Sequence, residues 1–274
     1  MLIDSHCHLN FKIFKNQVAE AIQTAKKAGV KKIIVPGTNL ETSEKAVRLA
    51  QKHPEVYAAV GIHPHHTKKI TNYKLQITNK LKRLAQNNGV VALGECGLDY
   101  YRYQKTKYKN YQIDPEFKNR QKEIFIWQIK LAKELALPLI IHNRLASKDL
   151  LRILVKEFNP QHANSDRPGV LHCFQGNDRL FRWALKNNFC LGFTGLVTFD
   201  RKMQAIVKKT PLKNILVETD APFLSPRLDK IKRAFPNTPA NVKIIAKRIA
   251  QIKSDSFLRI ARQTSKNASR LFNL

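Results

Sequence analysis

Short apolar runs rich in β-branched residues punctuate the chain: "MLID", "KKIIVPG", "VYAAVGIHP", "GVVALGE", "LPLIIH", "GVLHCF", "CLGFTG" and "NILVETD". Runs of this length, bounded by Gly, Pro, Asn or Asp, read as buried strands. Between them lie segments whose apolar residues recur every three or four positions. The clearest covers residues 116–136, where Ile124, Trp127, Leu131 and Leu135 fall at helical spacing. Asp114 and Pro115 mark its start, because a short acid accepts from the free amides of a first turn and proline has no amide to leave unpaired there. Further helices are expected over 16–28, 41–51, 74–86, 147–157, 178–186, 201–208, 241–250 and 256–271. Eight strands alternating with helices, without an internal break in composition, predict an α/β chain folded as a single (β/α)8 TIM barrel over residues 1–274. An open doubly wound sheet is disfavoured because no glycine-rich phosphate fingerprint follows the first strand. The segment "LSPRLDKIKRAFPNTP" is expected to be an irregular excursion.

Length and composition agree with this reading. The 274 residues match the size at which such a barrel closes, and 43% hydrophobic residues are enough for a large core. Charge changes the picture more. Lys and Arg number 49 against 20 Asp and Glu, for a formal charge of +29, a field that attracts polyanions and repels cations. Nucleic acid is the obvious partner, although a general lysine bias on solvated helix faces would give the same balance. The N-terminal "MLIDSHCH" is interrupted by Asp4 and His6, and runs such as "LALPLII" fall short of the ~18 residues of a membrane span. A cytoplasmic protein with no membrane partner is therefore expected. Four cysteines without regular spacing do not form a disulfide framework.

The candidate chemistry sits at the strand ends. His6 and His8, two apart on the first strand, point to one face and can converge on one cation. His63 follows "AAVGI", Glu95 follows "VVALG", His142 follows "PLII", His172 follows "GVL" and Asp220 follows "ILVET". In a barrel all of these C-terminal ends share one rim, where active sites are built. Imidazole with carboxylate suits Zn, Mn, Fe or Co, whereas an all-oxygen shell would favour Mg or Ca. A natural partition gives His6, His8 and Asp220 to one ion and His142 with His172 to a second, with Glu95 bridging. Two ions ~3.5–4 Å apart suit in-line displacement at a phosphodiester. Asp220 can take the proton of the attacking water, and Glu218, two residues deeper on the same face, is expected to support a ligand. His63 and Arg144 can contact phosphate oxygens. Cys7, Cys96 and Cys173 neighbour these residues, and strand alternation turns them outward into the helix layer. After Glu95, Tyr100, Tyr101, Tyr103, Tyr108 and Tyr111 offer faces for unpaired bases, while Arg102, Lys105, Lys107 and Lys109 can follow phosphates.

Taken together, "DSHCHL", "GIHPH", "GECGLDYY", "IHNR", "LHCFQG", "ETDAPFLSP" and "TSKNASRLF" resemble the TatD family of metal-dependent deoxyribonucleases, among the amidohydrolase-like barrels. These motifs run in order from Asp4 to Phe272. The resemblance implies the barrel fold and a divalent metal centre with His6, His8, Glu95, His142, His172 and Asp220 as ligands. Two ions per chain are expected, drawn from Mg, Mn, Zn or Co. It also implies that His63 lies on the substrate side; from the residues themselves, Arg144, Tyr101 and Arg102 are expected as further substrate contacts. Two features depart from the family: the loop after Glu95 is long, and "FPNTP" places Thr238 where an acid is common. The expected activity is hydrolysis of DNA, as single strands or ends, by an exonuclease with Glu95 and Asp220 at its centre. An ester or amide hydrolase, such as a deacylase of aminoacyl-tRNA, is the alternative, and a non-catalytic nucleic-acid-binding protein a third.

Overall fold

A computed structural model describes residues 1–69, 74–103, 113–158, 168–227 and 235–274. All eight expected strands form, and they pair in parallel in unbroken chain order. They are β1 (Leu2–Asp4), β2 (Val30–Pro36), β3 (Val56–Val60), β4 (Val90–Asp99), β5 (Leu139–Arg144), β6 (Gly169–Leu171), β7 (Cys190–Phe193) and β8 (Ile215–Val217). The helices α1 (Val18–Lys27), α2 (Leu40–Lys52), α3 (Lys74–Ala85), α4 (Pro115–Glu134), α5 (Ser147–Glu157), α6 (Asp178–Lys186), α7 (Arg201–Lys209), α8 (Val242–Lys253) and α9 (Phe257–Phe272) alternate with them. The ring closes beyond the last residues of β1 and β8. There the Ser5 amide donates to the Val217 carbonyl, the Asp220 amide to that of His6, and the His8 amide to that of Ala221, at 3.1, 2.8 and 2.7 Å. Buried Asp4 ties the same seam, accepting from the amide and hydroxyl of Thr219.

Alternation divides the apolar residues into two layers. One side chain from each strand, Ile3, Ile34, Ala59, Ala92, Ile140, Val170, Cys190 and Leu216, fills the barrel, joined by Ala268, Leu271 and Phe272 of α9. Residues of opposite parity, such as Val35, Leu93, Ile141 and Val217, pack outward against helices, with Ile124, Phe125 and Ile129 among their neighbours. Cys7 and Cys96 lie in this outer layer, on the opposite side of the strands from neighbouring His6 and Glu95. Cys173 does not. It has a left-handed φ of 42° just after β6 and is half-buried, with Sγ beside the Thr194 hydroxyl.

Helix α4 begins as its sequence predicts, with the Asp114 carboxylate accepting from the Phe117 amide at 2.7 Å and Pro115 in the first turn. Residues 228–234 of the expected late excursion lie outside the described residues, as do Tyr108, Tyr111, Lys105, Lys107 and Lys109.

Candidate metal centre

Parallel pairing brings the C-terminal ends of all strands to one rim, and the expected residues meet there. The routes differ in detail from simple strand ends. β1 stops at Asp4, so His6 and His8 follow it, held extended by a bridge between Cys7 and Ala221. By strict alternation from inward-facing Ala92, Glu95 would point outward. A register shift between Gly94 and Cys96 turns it in and carries Asp99 inward with it. β4 therefore continues through Glu95 to Asp99, pairing Gly97 with His142 and Asp99 with Arg144. Gly97 is needed at this crossing: its φ is 138°, and a Cβ there would sit 2.1 Å from the His142 carbonyl oxygen.

The nitrogens and oxygens converge on Glu95. Its Oε2 faces His6 Nε2 and His8 Nε2 at 3.5 and 3.6 Å. Its Oε1 faces His142 Nδ1 at 2.9 Å, His63 Nε2 at 3.6 Å and His172 Nε2 at 4.0 Å. Asp220 Oδ1 lies 3.8, 3.5 and 3.8 Å from the Nε2 atoms of His6, His8 and His172. A dication about 2.1 Å from tetrahedral donors spaces them about 3.4 Å apart. Separations of 3.2 to 3.8 Å among His6, His8, Glu95 and Asp220 bracket that value, so this donor set fits an ion. A second set, Glu95 with His142 and His172, has donor atoms within 4.8 Å of one another.

Supporting contacts set the ring orientations. His172 turns Nδ1 to Glu218 at 2.8 Å while Nε2 faces the cluster. Gly192 leaves room for Glu218, since a Cβ there would lie 2.4 Å from both carboxylate oxygens. The electrostatics are those of closely spaced acids and imidazoles. Burial disfavours a charged Glu95, but facing His63, His142 and His6 hold its carboxyl well below the usual range. Burial likewise opposes a proton on His142, yet hydrogen bonds to Asp99 and Glu95 push it up to about 10. Against the same opposition, Glu218 and then Asp220 raise His172 to about 9. Burial lowers His63 and His6.

Beyond the centre, the rim carries aromatic side chains. The Arg144 guanidinium lies 3.9 Å from the Tyr101 ring centroid and donates to the Tyr103 hydroxyl at 2.8 Å. Arg102 is exposed nearby in sequence. Tyr100 turns away from the rim instead, its hydroxyl bonded to Asp149 of α5 and its ring under Lys118 of α4, so it offers no face to a base. Near Asp220, Phe11 stacks on His8 at 4.3 Å and meets Phe223, which is 46% exposed. Asn237 pins this segment by donating to the carbonyls of Thr219 and Phe223. Thr238, at the position of the missing acid, donates its amide to the Asn237 side chain.

The sequence reading missed Phe11, Phe223, His65 and Asp99. "GIHPH" and "GLDYY" name His65 and Asp99, but nothing local shows that they bond to each other at 3.0 Å.

The family described as TatD related DNase matches residues 3–273. An uncharacterized metal-dependent hydrolase of Bacillus subtilis, YabD, is 39% identical with both chains fully covered. The 3'-5' ssDNA/RNA exonuclease TatD of Erwinia tasmaniensis is 34% identical, again over the whole of both chains. The crystal structure of YJJV, a TatD homologue of Escherichia coli K12, superposes with a TM-score of 0.85 at 30% identity, covering 100% of this chain and 98% of that one. A match over nearly every residue, with relatives sharing its full length, means that this chain belongs to the TatD family of metal-dependent hydrolases.

Proposed function

We propose that the protein is a divalent-metal-dependent deoxyribonuclease that degrades single strands or frayed ends exonucleolytically, with two ions per chain. The observation that carries this reading is the division of Glu95, one oxygen toward His6 and His8 and the other toward His142 and His172, as a bridge between two ions requires. Mg, Mn, Zn or Co held there supplies Lewis acidity toward a phosphate oxygen and lowers the pKa of a water. His6, His8, Glu95 and Asp220 would hold the first ion, and Glu95, His142 and His172 the second. Asp220 is the acid open to the rim, its side chain 14% exposed against 4% for Glu95, so it is placed to accept a proton from incoming water. His63 and Arg144 orient non-bridging oxygens, with Tyr101 and Arg102 beside the strand. Exposed Tyr101 and Phe223 favour unpaired bases, which present their faces, over a stacked duplex. The name of the Erwinia tasmaniensis relative, an exonuclease of single-stranded DNA and RNA, supports the same substrate class.

The test is digestion of end-labelled single-stranded and duplex DNA, and of RNA, with each metal and with chelator. Cleavage should require metal and disappear in Glu95→Ala and Asp220→Ala. Absence of metal-dependent cleavage in every condition, or full activity in both variants, would reject the proposal.

A further inference from the structure

Asp99 is buried beside the metal centre, and its carboxylate meets the His142 ring on the nitrogen opposite the one that faces Glu95. Its Oδ2 lies 3.1 Å from His142 Nε2, 3.0 Å from His65 Nε2 and 3.0 Å from the Tyr103 hydroxyl. Its Oδ1 accepts from the Tyr101 amide at 2.9 Å. Each carboxylate oxygen offers about two lone-pair positions, so the three contacts on Oδ2 leave that oxygen none for an ion, while Oδ1 keeps one beside the Tyr101 amide. Its backbone is equally fixed, because buried Gln121 of α4 accepts from the Asp99 amide and donates to the Asp99 carbonyl at 2.8 and 3.0 Å. The Tyr103 hydroxyl that meets Asp99 also receives Arg144.

His142 thus stands between two acids, with Nδ1 toward Glu95 and Nε2 toward Asp99. A nitrogen that binds a dication must carry no proton, and the other ring nitrogen then keeps it. We propose that Asp99 is a positioning residue for both halves of the site. It holds the proton of His142 on Nε2, so that the Nδ1 lone pair faces the second ion, and through Tyr103 it fixes Arg144 at the rim where substrate enters. This inference rests on the metal-centre reading; its His142 half does not depend on DNA as substrate, while its Arg144 half takes a nucleic-acid strand as the ligand at the rim. It also decides against an ion bound among His63, Asp99 and His142, whose donor atoms are close enough to suggest one.

Nitrogen-15 NMR of histidine-labelled, zinc-loaded wild-type protein reads the tautomer directly, with His142→Gln used only to assign the resonance. The expected result is a protonated Nε2 and a zinc-bound Nδ1; zinc on Nε2 would overturn the proposal. Zinc titration by calorimetry gives a second readout. Asp99→Asn can present its amide N–H to Nε2, which drives the ring proton to the ion-facing Nδ1. Affinity for the second zinc should fall about 10–100-fold while the first is retained. Tyr103→Phe should keep both zinc affinities and weaken binding of a phosphorothioate single strand about 2- to 10-fold. Wild-type affinity for both zinc ions in a folded Asp99→Asn would sink the proposal, and if that variant fails to fold, the wild-type NMR result decides alone. A wild-type chain that takes up no zinc, cobalt or manganese would remove the metal centre and this role of Asp99 together, whereas failure to cleave DNA would leave its hold on His142 standing.

Discussion

At the scale of single residues, the proposed centre sets protons and cations in competition for the same imidazoles. Without metal, His142 and His172 are raised to about 10 and about 9 by the carboxylates they face, against burial. A histidine whose folded pKa exceeds its unfolded value near 6.5 adds stability that is complete below that value and is lost as pH rises through the folded pKa. Glu95 is the other half of the His142 pair, so its lowered pKa reports the same interaction and adds no second gain. Chelator-treated protein should therefore lose denaturant resistance as the pH rises from about 6.5 toward 9. Ions require the neutral rings, so uptake releases protons and metal-conferred stability should grow over the same interval. Urea titrations with and without zinc would reveal these opposite slopes, and parallel slopes would mean that ions and protons do not compete. Glu218→Gln tests the neighbouring ring: losing the charge that faces His172 Nδ1 at 2.8 Å should weaken metal binding about 10–100-fold, measured by competition with a chromophoric chelator.

At the scale of elements, sequence patterning located more than it explained. Helices α5 and α6 run over the residues their periodicity predicts, because their apolar faces, and for α6 the Asn177 cap, are local properties. All six expected ligands also reach the rim, since chain order and parallel pairing are enough to gather strand ends. Asp99 was not legible. It looks like the first residue of a loop, and becomes the last of β4 only because the shift at Glu95 and the bare Cα of Gly97 let that strand run on beside β5. Its four donors come from distant or following segments, which no local pattern encodes. Two substitutions separate strand register from helix stability. Gly97→Ala forces a side chain into a left-handed backbone against the His142 carbonyl, and should cost at least ~2 kcal/mol and impair metal uptake. Asp114→Ala removes the cap of α4 and should cost ~1 kcal/mol, with zinc affinity unchanged. Denaturation and zinc titration of both variants check this, and equal loss of metal binding would show that the centre responds to general weakening.

At the scale of the molecule, charge is unevenly placed. Of only 20 acids, Asp4, Glu95, Asp99, Glu218 and Asp220 gather in or beside the barrel mouth, which leaves the remaining surface still more basic than the net +29 indicates. A polyanion is thus drawn to the basic surface, but at the centre it meets carboxylates that protonated His142 and His172 offset only in part unless dications are bound there. Two contributions to binding follow, and they can be separated. The outer field acts through counterion release, with a slope in log salt of about −0.7 per phosphate contacted on a single strand. For about five contacts, affinity should fall roughly a hundredfold between about 50 and 200 mM salt, with or without metal. The central contribution should appear only when ions are loaded, and should then depend on the aromatic rim. Phe223→Ala is expected to weaken zinc-loaded binding of a phosphorothioate single strand by about 1–3 kcal/mol and to leave chelator-treated binding unchanged. Fluorescence anisotropy over a salt series, run on wild type and variant in both metal states, measures all four quantities. If Phe223→Ala weakened metal-free binding equally, the strand would reach the rim without the ions, and the carboxylates at the mouth would not be the barrier that charge placement implies.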